Sequence, residues 1–106
     1  MSEDKASERT VLLNQAEQYV TRDRNNQYGP PTQDFHRIAE MWNIILPANN
    51  EIKSHHVALA MICLKLSRLS WEPGNFDSWV DIAGYAACGW ECAVEEAKNG
   101  SKEISE

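Results

Sequence analysis

Residues 54–71, SHHVALAMICLKLSRLSW, constrain the fold more than any other stretch of the chain. Val57, Ala60, Met61 and Leu64 form one apolar face at helical spacing, and Leu59, Ile62, Cys63 and Leu66 form a second. A helix apolar nearly all round needs cover on several sides, which predicts a bundle with this helix, the third of the chain, at its centre. Ser54 is its expected N-cap, and Pro73-Gly74 ends the segment.

A fourth helix is expected from an N-cap at Asp77 to about Lys98, with Gly100 as a C-terminal glycine cap. Gly84 and Gly89 inside it would let another helix approach closely, at some loss of helix propensity. Upstream, Leu12, Leu13, Ala16, Tyr19 and Val20 mark a first helix that begins near Ser7 or Glu8 and fades at Arg22. Residues 23–31, DRNNQYGPP, carry loop chemistry. Thr32 is the expected N-cap of a second helix, with Phe35, Ile38, Ala39, Trp42, Ile45 and Leu46 as its buried stripe, ended by Pro47 and Asn49-Asn50. No stretch alternates with period two over a strand's length.

The expected fold is therefore all-α, a four-helix bundle over residues 8–99, flanked by disordered tails at 1–7 and 100–106. Four tryptophans in 106 residues exceed what one small bundle easily covers, so a homo-oligomer is expected, with Trp42, Trp71 or Trp90 at its interface.

Net charge of −6 argues against binding DNA or anionic membranes, both of which are dominated by clustered Lys and Arg. The charge is uneven. Six basic residues face four acidic ones from Arg22 to Arg68, while the segment from Glu91 onward carries five acids and two lysines. No run of about 18 apolar residues occurs and MSEDKASERT is charged, so a cytoplasmic protein is expected. Cys63, Cys88 and Cys92 form no CxxC and read as small core residues.

Four charges interrupt the two apolar helices. Lys65 and Arg68 project from one face of the third, and Asp77 and Asp81 from one face of the fourth. The short connection between these helices makes them antiparallel neighbours, so the pairs should meet. Two readings stay open. Asp81 and Arg68 could form a partly buried ion pair, with Asp77 capping and Lys65 reaching to water. Alternatively the cluster, with Tyr28, Trp71, Trp79 and Tyr85, lines a polar pocket that takes phosphate directly or through a divalent cation such as Mg²⁺. Arg22 and Arg24, beside the Tyr28-Gly29-Pro30 turn, would suit an anion clamp. His36, His55 and His56 read as surface residues, and no Gly-rich phosphate loop, GxSxG, HExxH or EF-hand pattern occurs.

The order RxxxYGxP, matched in spirit over Arg24 to Pro30, FxxIAxxW at Phe35, Ile38, Ala39 and Trp42, LKLxRL at residues 64–69 and DSWVDIAGYA at residues 77–86 resembles a small helical family of tailed phages and prophages. The resemblance covers roughly residues 10–95, with the last motif the most specific. More distantly, the YG turn and the fourth helix are similar to a phage domain associated with nucleotide modification. The helix arrangement is similar to the MazG-like all-alpha NTP pyrophosphatases.

The MazG-like resemblance implies Mg²⁺ held by ExxE on one helix and ExxD on the next, positions that fall here on Lys65 and Arg68, then Ser78 and Asp81. Three of the four carboxylates are absent, leaving Asp77 and Asp81 as the available metal ligands. Cations where a metal would stand can still bind phosphate without cleaving it. The leading expectation is thus a phage-type protein of the bacterial host's cytoplasm that binds or sequesters a nucleotide or similar phosphorylated ligand. It would do so through Arg22, Arg24, Tyr28, Lys65, Arg68, Asp77, Asp81 and Tyr85, with no cofactor required. The alternatives are a Mg²⁺-dependent nucleotide pyrophosphohydrolase, and an inhibitor of a host or defence protein acting through Glu91, Glu95 and Glu96.

Overall fold

A computed structural model of the chain describes residues 7–46 and 50–100. The expected tails at 1–6 and 101–106 lie outside the described residues, as do Pro47 and Asn49. Ser7 and Gly100, assigned to those tails, belong instead to the helical domain. Among the described residues every regular element is helical. They are α1 (Glu8–Gln18), a π-helical turn (Tyr19–Asp23), α2 (Arg24–Tyr28), α3 (Pro31–Ile45), α4 (Ser54–Trp71) and α5 (Phe76–Gly100).

Each start has a local cause. The Ser7 hydroxyl accepts from the Thr10 N–H at 3.2 Å and caps α1, satisfying a donor that the first turn leaves free. Pro31 opens α3 at the first helical position, where its missing N–H costs nothing, so Thr32 lies inside the helix rather than at its cap. Two partners replace the expected Ser54 cap of α4. The His56 Nδ1 accepts from the Lys53 N–H at 2.9 Å, and the Glu96 carboxylate accepts from the His55 N–H at 2.9 Å. α5 begins at Phe76, and the Asn75 side chain accepts from the Ser78 N–H at 2.8 Å; Asp77 sits in the first turn without capping it.

The region expected as a loop between the first two helices is mostly helical. The chain runs without a break from α1 through the π turn into α2, and only Gly29 and Pro30 separate α2 from α3. Tertiary partners overcome the poor helix propensity of Asn25 and Asn26. The Arg37 guanidinium donates to the Tyr28 carbonyl at 2.9 Å, closing the end of α2, and Arg24 reaches into the core. Gly29 takes a φ of 83° to turn the chain into Pro30, a conformation that residues with a Cβ rarely adopt.

α5, not α4, is the central helix. It packs against α1, the π turn, α3 and α4, whereas among the described residues α4 packs only against α3 and α5. The core is small: Phe35, Ala39, Val57, Ala58, Cys88 and Cys92 are buried together, bordered by Val20, Ile38, Trp42, Ile52, Met61 and Tyr85. Ile45 and Leu46, expected in the stripe of α3, are exposed, as are Leu13 and Cys63.

The antiparallel α4–α5 seam is tight at Gly89, where an added Cβ would stand 2.9 Å from that of Ala58. Gly89→Val is therefore expected to destabilise the protein by about 1–3 kcal/mol through overpacking. Gly74→Ala, with open space around it, should stay within about 0.5 kcal/mol. Urea unfolding of the two variants checks the contrast.

Candidate functional site

The π turn sets the geometry of a cleft lined by polar and aromatic side chains. A π turn inserts an extra residue into a helix, and such bulges are frequent at functional sites. Here it lays Tyr19, Val20 and Asp23 against α5 at Gly84, where a Cβ would be 3.2 Å from the Val20 side chain. The result is a cleft of about 180 Å³ between the π turn and α2 on one side and α5 on the other. Its walls include Tyr19, Asp23, Arg24, Tyr28, Asp81 and Tyr85, with Cys88 at its base.

Arg24 organises one wall. Its Nη2 donates to the Asp34 Oδ2 at 2.7 Å, and Arg37 approaches the other oxygen of the same carboxylate at 3.4 Å. The guanidinium carbon lies 4.6 Å from the ring centre of Phe35, 5.5 Å from that of Tyr28 and 5.9 Å from that of Tyr85. Flat cations stack well on aromatic faces, so Arg24 is held by three rings as well as by its carboxylate. Its Nε is buried with no hydrogen-bond partner among the described residues. A buried donor left unused is costly and rare, which makes this atom notable.

On the opposite wall Lys65 and Asp81 form an ion pair at 2.8 Å, both largely shielded from water. This corrects the expected pairing of Asp81 with Arg68. The latter is exposed, and its guanidinium has no ion-pair or hydrogen-bond partner among the described residues. The reason is register: Lys65 points toward α5, while Arg68, three residues later, has turned toward solvent.

Of the eight residues expected to form the site, Arg24, Tyr28, Asp81 and Tyr85 meet at the cleft, and Lys65 reaches it through Asp81. Arg22, Arg68 and Asp77 are exposed and lie outside its lining. Trp71 is exposed, and Trp79 donates its indole N–H to the Pro73 carbonyl at 2.8 Å. Asp34 is the site residue that sequence reasoning missed. It is an acidic residue in the first turn of α3, a favourable place for a negative charge, and nothing local marks its pairing with Arg24.

Among the described residues no group of three or more His, Cys, Asp or Glu side chains is arranged to hold a metal ion. Asp77 and Asp81 point differently: Asp77 is exposed, whereas Asp81 is engaged by Lys65. Nor are the buried cysteines nucleophiles. Burial raises the Cys88 thiol, and burial together with the neighbouring Cys88 pushes Cys92 up to about 12, keeping both protonated near neutral pH.

A second polar cluster lies at the far end of the α4–α5 seam. His55 donates from Nδ1 to the Glu96 Oε1 at 2.6 Å, and the His55 and His56 rings lie against each other with centres 4.1 Å apart and planes tilted by 36°. The half-buried His55 is thus not a plain surface residue. Glu96 is committed to the start of α4, and only Glu91 and Glu95 of the expected acidic surface are exposed. Desolvation of the ring, then repulsion by His55, lowers the His56 pKa below 6.5.

A model of the family described as Domain of unknown function (DUF6378) matches residues 11–93. Curated relatives include the Gene 55 protein of Mycobacterium phage D29, 35% identical over 77 residues, which are 73% of this chain and 50% of the relative. The Gene 55 protein of Mycobacterium phage L5 is 35% identical over 75 residues, 71% of this chain and 47% of the relative. The chain thus spans about half the length of these curated relatives. No solved structure matches it. Among the described residues no helix is long and apolar enough to cross a membrane.

His56 gives this second cluster a defined pH response. Its Nδ1 accepts the Lys53 N–H only when that nitrogen carries no proton. Because the folded pKa is lowered, the contribution to stability is present above the unfolded value of about 6.5 and is lost as pH falls through the folded value. Unfolding midpoints measured from pH 8 to pH 5 should fall more steeply for the wild type than for His56→Ala.

Proposed function

This chain belongs to the DUF6378 family, which has relatives encoded by phages, and on that premise we propose that the domain binds a nucleotide or similar phosphorylated small molecule in the cleft without hydrolysing it. The observation that carries this reading is Arg24. A guanidinium packed among Phe35, Tyr28 and Tyr85, with a buried donor to spare, supplies both a stacking surface and a hydrogen bond to a planar heterocycle. Base–aromatic stacking is worth about 1–3 kcal/mol per base.

The phosphates would lie toward Lys65. There the ligand exchanges one anion for another, taking the ammonium from Asp81. The carboxylates in the cleft lining are Asp23 and Asp81, fewer than a pair of Mg²⁺ ions bridging phosphates requires. That donor set supports binding without cleavage.

Calorimetry and thermal unfolding with dNTPs, NTPs and cyclic oligonucleotides, each with and without Mg²⁺, test the reading. A ligand at 100 times its dissociation constant should stabilise the fold by about 2.7 kcal/mol, a rise on the order of 10 °C for a domain of this size. Tyr28→Ala and Arg24→Ala should abolish the effect, and Arg22→Ala should keep it. Release of pyrophosphate from dNTPs only with Mg²⁺ would instead establish the hydrolase alternative, and no response to any nucleotide would end the proposal.

A further inference from the structure

One face of the molecule is out of keeping with a protein that works as a single chain. α3 packs on the Val57 and Met61 side of α4 and on the Cys88 and Cys92 side of α5. At about 100° per residue, the opposite side of α4 carries Leu59, Ile62, Cys63 and Leu66, and the opposite side of α5 carries Trp79, Ala83, Ala86 and Trp90. Their burial agrees with that placement: Leu59 is 54% exposed, Leu66 52%, Trp79 47% and Trp90 63%. These two stripes adjoin across the α4–α5 seam and contain no Asp, Glu, Lys or Arg.

We infer that this face is an interface between two copies of the chain, joined about a two-fold axis so that α4 and α5 of one copy pack on α4 and α5 of the other. Two arguments select a second copy as the occupant. The first is area. Two leucines and two tryptophans stand about half exposed or more side by side, a contiguous apolar patch of the kind that marks an interaction site and that a partner of about 800 Å² contact area would cover.

The second is charge. The chain carries −6 overall, so two copies repel through most of their surface, and this face is free of that repulsion. A two-fold interface must be complementary to itself, a condition that an uncharged, apolar surface meets and a surface of one sign does not. The association also accounts for α4, whose all-round apolarity exceeds what α3 and α5 cover in one chain. The cleft containing Arg24 lies on other faces of α5 and stays open in the dimer.

Sedimentation velocity of the full chain at 1–100 µM tests this directly. The wild type should sediment with twice the single-chain mass of 12.0 kDa. Leu59→Glu/Leu66→Glu, and separately Trp90→Lys, should weaken association about 100-fold or more, because each copy would bury uncompensated charge. Both should keep the helical circular dichroism of the wild type, since the altered side chains are exposed within one chain. Ile44→Ser, on the exposed end of α3, should remain a dimer. Alkylation of Cys63 should be slow in the wild type and fast in the Leu59→Glu/Leu66→Glu variant. A wild type that sediments as a single chain at 100 µM, or charged variants that keep the doubled mass, would overturn the inference and assign the face to some other partner or to none.

Discussion

At Gly89 the α5 backbone comes so near to α4 that a Cβ there would crowd Ala58, and much of the molecule's polar chemistry depends on that approach. Because the two helices touch at mid-seam, side chains on either side can span the gap. Lys65 meets Asp81 toward one end, and His55 meets Glu96 toward the other. Gly84 repeats the device on another side of α5, admitting Val20 and so seating the π turn. Two missing side chains on one helix thereby set the position of both walls of the cleft.

The cleft's cations already have anionic partners. Arg24 is joined to Asp34, and Lys65 to Asp81. Pairs this sheltered contribute little net stability over apolar residues of the same size, because desolvation offsets most of the attraction. On the proposed reading, that cost belongs to a site that takes up an anion. Exchanging one carboxylate for a phosphate leaves the lysine satisfied, and the displaced Asp81 lies near the surface, where water can receive it.

Much of this architecture could be read in the sequence, and the failures share a physical cause. The limits of α4 were legible because Ser54 and Trp71 bracket an unbroken helical pattern that ends at Pro73-Gly74. Arg24, Tyr28, Asp81 and Tyr85 were legible as polar or aromatic residues set beside apolar ones. What could not be read was anything decided across the fold: that Asn25 and Asn26 lie in a helix stabilised by Arg24 and Arg37, that Asp34 belongs to Arg24, and that Lys65 rather than Arg68 turns toward Asp81. Spacing along a chain says which residues share a face, and only packing says which face is turned inward. The same lesson applies to α4, whose composition identified a helix needing cover without saying that α5 would take the central place.

The π turn at Tyr19–Asp23 also makes the cleft sensitive to chain length rather than to side-chain identity. It accommodates one residue more than an α-helical turn of the same reach, so α1 and α2 lie out of phase by about 100°, the angular step of one residue. Ala16 can therefore face the core from one phase while Arg24 does so from another. Loss of any single residue between Tyr19 and Asp23 would let the helix become regular. The hydrophobic face of α1 would stay in place, and Arg24 would swing away from Asp34 and the aromatic rings. In this segment a deletion would do what few substitutions could, removing the site while preserving the helix that carries it.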